Sequence, residues 1–279
     1  MDLVPSYILK AGRAEHHLHD LKLAITKWAD SHPYEVRPAH HRKINAYRLR
    51  FTANPPPPIS LIAADFVYNL RSGLDHLMTA LVPATERSKV YFPIYFQGVW
   101  EDADPGEHEK RTKERGRWKS DTAKVRPEAV AILKSLQPPD VAWKAGHTLH
   151  VFRALNLISN KDRHQKLPLV FTALRSVRML WVDTQGTRHI EPGDTGDVSV
   201  DQAVCQDGAE FHLPKGAMDV QVVGGPVVAI DFGPEQGNAP IPEVFDLALS
   251  AYRETVNKLV PYIHRGRRRH GVAPSSGTA

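Results

Sequence analysis

The hydrophobic pattern of this 279-residue chain changes its period near Lys166, and this change limits the folds that it can adopt. Before Lys166, apolar side chains recur every three or four positions, which is typical of amphipathic helices. After it, β-branched runs alternate with turn residues as far as residue 233, which predicts a small antiparallel sheet. A last helix beginning near Pro242 returns to the helical period. We therefore predict a mainly α, α+β protein in which a small antiparallel β insertion precedes the C-terminal helix.

The change of period also sets the domain organisation that we expect. It predicts a helical bundle at residues 1–167 and 241–264, a β-rich insertion at 168–240, and a flexible basic tail at 265–279. Within the bundle, the helices are predicted at about residues 6–30, 59–81, 127–137, 146–165 and 242–263.

Three shorter segments have patterns of their own. Alternation over residues 44–52 predicts an edge hairpin, and the pair Gly224–Gly225 predicts a second hairpin turn. Between residues 101 and 126, 15 of 26 residues are charged. We expect that run to be a solvated loop with only a helical turn or two.

The composition excludes several classes of protein. A hydrophobic content of 42% is enough for a globular core. The chain has no window of about eighteen uninterrupted apolar residues and no signal-peptide layout, so we expect a cytoplasmic protein with no membrane partner. The single cysteine, Cys205, rules out an internal disulfide framework and a thiolate-rich zinc site. No cofactor is predicted, because the sequence has no glycine-rich phosphate loop.

The net charge of +5 is concentrated near the C-terminus. The stretch RGRRRHG contains four arginines, and without them the charge falls from +5 to +1. Arginines bind phosphates and release counterions, so the tail predicts a contact with nucleic acid. A solubilising terminus with no partner is the alternative. The residues of this candidate contact are Arg265, Arg267, Arg268 and Arg269.

The predicted helix at 59–81 has an ordered polar half. At 100° per residue, its apolar side chains fall within one arc of about 120°. The opposite side contains Asn69, Arg71, Asp75 and His76. Arg71 and Asp75 are an i,i+4 pair, whereas Arg71 and His76 lie about 140° apart. One isolated helix cannot direct both of these at the same small group, so a second helix or a second copy of the chain has to complete any site.

The predicted helix at 146–165 contains a comparable polar stretch, NLISNKDRHQ. Asn160 and His164 are four residues apart and share one face. If this face meets the polar half of the earlier helix, the charged side chains of both can form one buried network. Such a network either supports a site or only fixes the register of the two helices. The residues that we predict to take part are Asn160, Asp162, Arg163 and His164.

Four motifs in chain order resemble an uncharacterised bacterial family of the actinobacterial type. They are AADFVYNLRSGLDHLM, FPIYF, ILKSLQP and LNLISNKDRHQKL, and they span about residues 60–167. The family pattern is a helix with N-L-R-S-x-L-D-H, an F-P-I segment, an L-Q-P turn and a helix ending in N-x-D-K-H-R. In the last motif, Arg163 stands at the usual lysine and Gln165 at the usual arginine. The resemblance implies no established activity.

A more distant resemblance suggests chemistry. Arg71, four further residues and His76 resemble the Arg–x(4–6)–His motif of HEPN domains, which are all-helical and occur in RNA-cleaving toxins and phage-defence proteins. In those proteins, two copies of the motif meet at a dimer interface and form one metal-independent ribonuclease site. The resemblance implies a homodimer that acts on RNA, with a cognate antitoxin or another defence-system partner. It also implies that His76 is the general acid or base and that Arg71 stabilises transition-state charge. Asn69 and Asp75 would orient these two side chains.

Two other functions remain open from the sequence. One is a helical binding or regulatory module without catalysis. The other is a metal-dependent hydrolase whose His and Asp ligands lie on facing helices, although no HExxH motif is present. Its candidate ligands are either Asp75, His76, Asp162 and His164 or the pair His147 and His150.

Overall fold

The computed structural model describes residues 4–39, 45–87, 90–95, 108–138, 150–164, 169–192, 204–231 and 238–263. Within these ranges the helices are α1 (Ser6–Ala29), α2 (Pro57–Ala80), α3 (His108–Thr122), α4 (Pro127–Ser135), α5 (Val151–His164) and α6 (Ile241–Leu259). The strands are β1 (Tyr34–Ala39), β2 (Asn45–Phe51), β3 (Leu169–Val182), β4 (Arg188–Pro192), β5 (Val204–Gln206), β6 (Glu210–Leu213), β7 (Met218–Asp231) and β8 (Asn238–Pro240). The predicted α+β class is confirmed.

Helix α2 lies at the centre of the helical part. It begins in a run of prolines, and proline suits a first helical turn because the missing backbone N–H has no partner there. The apolar arc predicted from the sequence is buried, as Phe66, Leu70 and Leu74 show. Helix α1 packs against α2 in the antiparallel direction, since Ser6 lies beside His76 and Lys10 beside Asn69.

Helix α6 closes the helical core although it comes after the strands in the chain. The ring of Phe245 stacks on that of Phe66 with centroids 4.1 Å apart. The Tyr252 hydroxyl donates a hydrogen bond of 2.7 Å to the carbonyl of Tyr7 in α1. Both contacts bury the four- and three-residue apolar repeat of α6 against the N-terminal helices.

The described strands form two antiparallel sheets. One has the order β1-β2-β6, and the other has the order β4-β3-β7-β8 with β5 paired to β3. The sheets share a core that includes Leu49, Leu174 and Phe211. Strands β1 and β2 lie within the range predicted to belong to the helical bundle, but β1 pairs with β2 and β2 pairs with β6, which places both strands in a sheet instead. Alternation marks a strand without identifying its partner, and this is why the sequence misplaced the hairpin.

Strand β7 is continuous over 14 residues, so the hairpin turn predicted at Gly224–Gly225 is wrong. Opposite these glycines, β3 contains one extra residue, because Arg175 pairs with Gly225 while Arg178 pairs with Val223. Glycine is typical of positions where strand pairing is irregular as well as of turns. Here the glycine pair lies opposite a β-bulge.

Helix α3 occupies most of the run in which we predicted a solvated loop. Its residue Trp118 is buried, and the Trp118 ring lies edge-on to Tyr95 with centroids 6.1 Å apart. The loop prediction is wrong because most side chains of this helix are charged, so the sequence pattern does not reveal that one apolar side chain, Trp118, packs on the inner side.

Some predictions fall on residues outside the described ranges. These are the start of the fourth helix at 146–149 and the basic tail at 265–279. Among the residues that are described, no helix combines the length and the apolar character needed to cross a membrane.

Candidate functional site

Arg71 and Asp75 of α2 form an ion pair that is bonded to the backbone of one residue of the FPIYF segment. Arg71 Nη1 lies 3.1 Å from Asp75 Oδ1. Arg71 Nη2 donates to the carbonyl of Phe92 at 2.9 Å, and the Phe92 N–H donates to Asp75 Oδ1 at 2.8 Å. The two side chains are only 14% and 20% exposed. Together they bind both backbone polar groups of Phe92, as a neighbouring β-strand would.

The next residues of the segment are bound by Gln137 of the LQP turn. Gln137 Nε2 donates to the carbonyl of Pro93 at 3.2 Å and to that of Leu133 at 2.8 Å, and Gln137 Oε1 accepts from the Tyr95 N–H at 2.7 Å. Three motifs of the sequence therefore meet in one hydrogen-bonded unit. We call this unit the Phe92 clamp and define it by Arg71, Asp75 and Gln137.

His76 contacts a different neighbour. Its imidazole is exposed, and its Nδ1 lies 2.7 Å from the Ser6 hydroxyl oxygen at the first turn of α1. Arg71 is bonded to Phe92 on another side of α2, so the two residues of the predicted catalytic pair contact different parts of the protein. The catalytic roles of Arg71 and His76 stay a prediction.

Asn69 lies between α1 and α2. It is 7% exposed, and its Nδ2 donates to the carbonyl of Asp65 at 2.8 Å. Its Oδ1 accepts a long hydrogen bond of 3.5 Å from Lys10 Nζ, which also lies 5.0 Å from the centre of the Tyr68 ring. Through these contacts Asn69 takes part in the packing of α1 against α2. Its predicted role in orienting the catalytic side chains stays a prediction.

Gly73 is two residues from both Arg71 and Asp75, so it lies on the other side of α2, where it meets Tyr252 of α6. A Cβ atom at Gly73 would lie 2.6 Å from the Tyr252 hydroxyl oxygen, so no larger residue fits without movement. Burial, with a smaller contribution from Tyr7, raises the pKa of Tyr252 above its ordinary value, so the hydroxyl stays protonated and donates to the Tyr7 carbonyl.

Helix α5 packs against α2, as the sequence analysis expects of the helix with the second polar stretch. Asn160 is exposed to solvent. The network proposed between the two helices stays a prediction, because most of its side chains on α5 are outside the described set. Those side chains are Asp162, Arg163 and His164, and the tail residues Arg265, Arg267, Arg268 and Arg269 are also outside it.

His150 is the described member of the predicted metal-binding pair, whereas His147 lies outside the described residues. The Nδ1 atom of His150 is buried and has no hydrogen-bond partner in the described structure. Burial lowers the pKa of His150, which favours the neutral imidazole. The described residues contain no group of three or more His, Cys, Asp or Glu side chains that could bind a metal ion.

A His–Asp pair that the sequence analysis did not single out lies in the β3–β4 hairpin. Asp183 accepts hydrogen bonds from His189 Nε2 at 2.9 Å and from the backbone N–H groups of Gln185 and Thr187. The bond from His189, followed by that from Thr187, lowers the pKa of Asp183 to about 2. The His189 ring stacks on Trp181 with centroids 4.0 Å apart. All of these contacts are local to the turn, so they organise the hairpin.

Helix α3 and the residues after it form a basic surface. Residues 108–126 contain eight Lys and Arg residues and three Asp and Glu residues, so their net charge is 8 − 3 = +5. Lys124 also lies 3.7 Å from Glu86. We define the α3 basic surface by its exposed side chains, which are Lys113, Arg117, Lys119, Lys124 and Arg126.

A cleft of about 140 Å³ lies between the FPIYF segment and α5. We call it the Arg153 cleft. No sequence pattern predicts it, because its walls come from three segments that are distant along the chain. The lining residues are Ile94, Tyr95, Pro138, Arg153, Asn156 and Leu157.

The chain was compared with models of protein families, with curated proteins and with solved structures, and none of them matches it.

Proposed function

We propose that the chain is an RNA-binding protein with a HEPN-like helical bundle, and that it acts in the cytoplasm. The observation that carries the proposal is the α3 basic surface. Lys113 and Arg117 are one helical turn apart and exposed, so both can contact neighbouring phosphates of one strand. The four arginines of the tail would add a second contact to the same ligand.

The distribution of charge along the chain favours a polyanion as ligand. Residues 108–126 have a net charge of +5 and the four tail arginines add +4, whereas the rest of the chain has a net charge of −4, so positive charge is concentrated in these two segments. A local excess of this size attracts a phosphate backbone and releases its counterions. The bundle of α1, α2, α5 and α6 supports the HEPN-like part of the proposal, since it places the Arg71 and His76 motif on a long packed helix.

The first experiment measures binding of fluorescently labelled single-stranded RNA by anisotropy over a range of salt concentrations. We expect the double variant Lys113→Gln/Arg117→Gln to bind about tenfold more weakly, with a salt slope smaller by about 1.4, because two phosphate contacts are lost. A variant with Gln at Arg265, Arg267, Arg268 and Arg269 should show a further loss.

The matched control is the double variant Lys22→Gln/Arg253→Gln. It removes the same two charges from exposed ion pairs on α1 and α6, where Lys22 contacts Asp246 and Arg253 contacts Glu15. Equal affinities and salt slopes for the control and the α3 variant would contradict RNA binding at α3.

A second candidate function is metal-independent cleavage of RNA. The observation that favours it is the exposed imidazole of His76. The Ser6 hydroxyl contacts Nδ1 of this ring, so Nε2 is the nitrogen that a substrate can contact. In a homodimer, the partner copy would supply an arginine beside this histidine, with Asn69 and Asp75 as orienting residues. A toxin or phage-defence role, with an antitoxin as partner, belongs to this candidate.

The test of this candidate is incubation of RNA with the purified protein in EDTA. We expect cleavage to persist in EDTA and to fall about 100-fold or more in His76→Ala, because a general acid or base is lost. The exposed residue His16 supplies the control His16→Ala. Light scattering after size exclusion should report a dimer. Cleavage that is equal in wild type and His76→Ala would remove His76 from the mechanism.

A further inference from the structure

The Arg153 cleft has the size of a small ring compound. Its volume of about 140 Å³ is close to that of an apolar cavity of about 150 Å³ that accommodates benzene. Ile94, Pro138 and Leu157 supply apolar walls, so the cleft favours the body of an organic molecule over a hydrated ion.

Two polar side chains of α5 line the same cleft. Arg153 and Asn156 are three residues apart, and Leu157 follows, so the three share one face of the helix. A guanidinium group is a planar set of donors that matches a carboxylate with two parallel hydrogen bonds. The carboxamide of Asn156 can donate another hydrogen bond to the same group.

The wall opposite α5 is preformed. The backbone N–H of Tyr95 is bonded to Gln137 of the Phe92 clamp, and the Tyr95 hydroxyl donates to Asp121 at 2.8 Å. The ring also contacts Trp118 edge-on. Burial, followed by the hydrogen bond to Asp121, raises the pKa of the Tyr95 hydroxyl above its ordinary value, so the hydroxyl stays protonated and continues to donate to Asp121, which holds the ring in place. A preformed site lowers the entropic cost of binding.

We propose that the Arg153 cleft binds a small planar monocarboxylate, with its ring between Ile94 and Leu157 and its carboxylate on the guanidinium of Arg153. The proposal is independent of RNA binding at α3. Benzoate is the simplest probe, since it has a six-membered ring and one carboxylate. Benzamide has the same shape without the charge and separates recognition of the carboxylate from simple filling of the cleft.

The experiment is titration of the full chain with benzoate by calorimetry, together with backbone amide shifts in NMR spectra. We expect saturable binding with shifts at Tyr95 and Asn156, and about tenfold weaker binding of benzamide because a charge-assisted hydrogen bond is lost. Arg153→Gln should weaken benzoate binding about tenfold for the same reason. Arg253→Gln, on the exposed side of α6, should leave it unchanged.

Leu157→Phe provides a second variant if Arg153→Gln does not fold. It narrows the cleft without changing its charge, and it should weaken both ligands alike. The proposal is overturned if benzoate shows no saturable binding. It is also overturned if benzamide binds as tightly as benzoate, or if the amide shifts leave out the residues of the cleft.

Discussion

At the scale of single residues, Arg71 and Asp75 have a clear structural role. A motif with Asn, Arg, Asp and His on one helix predicts chemistry, yet the Arg and the Asp bind the two backbone polar groups of Phe92. A buried backbone N–H or C=O without a partner costs free energy, and the Phe92 clamp removes that cost. Spacing along a helix thus identifies a pair without identifying what the pair binds.

The first prediction concerns Asp75→Asn, which keeps the size of the side chain and removes its charge. We expect the free energy of unfolding to fall by about 2 kcal/mol, because charge-assisted bonds to Arg71 and to Phe92 are weakened. Urea unfolding followed by circular dichroism measures this. Arg253→Gln breaks an exposed ion pair and should cost under about 1 kcal/mol. Similar losses in both variants would contradict the clamp.

The second prediction compares two glycines in helices. Gly73→Ala should lower the free energy of unfolding by about 1–3 kcal/mol, because the added methyl group overlaps the Tyr252 hydroxyl. Gly12→Ala should raise it by about 0.5–1 kcal/mol, because Gly12 is exposed in α1 with open space around it. Tyr252→Phe should recover part of the loss in the Gly73 variant. Thermal unfolding of the four proteins is sufficient, and a stable Gly73→Ala would refute the close approach.

The third prediction concerns pH and His150. Its pKa is lower in the folded chain than the unfolded value of about 6.5, so the unfolded chain binds more protons as the pH falls. The stability contribution of His150 is complete above about pH 6.5 and is lost below it. We expect the free energy of unfolding to decrease less between pH 6.5 and pH 5 in His150→Gln than in wild type. The exposed His212 supplies the control His212→Gln, which should follow the wild-type curve.

At the scale of elements, residues 90–95 belong to no helix and pair with no strand in the described structure. Side chains from α2 and from the turn after α4 supply the hydrogen bonds that a strand would supply. Gln137 is 2% exposed and makes two of these bonds, to Pro93 and Tyr95, and a third to the carbonyl of Leu133 in α4, so its amide satisfies groups that burial would otherwise leave unpaired. The segment is in turn one wall of the Arg153 cleft.

The fourth prediction follows from this arrangement. Gln137→Leu keeps a similar volume and removes the donor and the acceptor, so the Tyr95 N–H loses its partner. Hydrogen exchange measured by NMR should become faster at Tyr95 and remain unchanged at Leu70 in the middle of α2 if only the segment opens. Uniform acceleration at both amides would instead show that Gln137 acts on the stability of the whole fold. Benzoate binding should weaken in the same variant.

At the scale of the whole molecule, β7 connects the two hydrophobic cores. Val222 packs against the core between the sheets, whereas Val228 and Ile230 lie in the helical core. A single strand of 14 residues thus takes part in both. If packing is lost in one core, β7 is disturbed, and the side chains of the other core then lose the β7 residues that they pack against.

The fifth prediction is that the two cores unfold together. Leu49→Ala in the sheet core and Leu70→Ala in the helical core should each cost about 2–5 kcal/mol, since both side chains are fully buried. In both variants, helical circular dichroism and tryptophan fluorescence should give one coincident transition. Two separate transitions in Leu49→Ala would show that the sheets unfold independently of the helices.

Much of the fold could be predicted because helical faces depend on local spacing. The apolar arc of α2, the return of α6 to the helical period and the i,i+4 pair of Arg71 and Asp75 all follow from 3.6 residues per turn. The partner of β2 and the nature of α3 could not be predicted in the same way. Strand pairing depends on register with a distant segment, and in α3 one buried tryptophan outweighs the charge around it.

The sequence by itself thus determined which residues lie on one side of each helix and that a β-rich region precedes α6. Only the tertiary structure decided that Arg71 and Asp75 bind Phe92, 21 and 17 residues away, and that three separated segments enclose the Arg153 cleft. The physical reason is that the periodicity of one element orients side chains around its own axis. What those side chains meet depends on the packing of elements that are far apart in the chain.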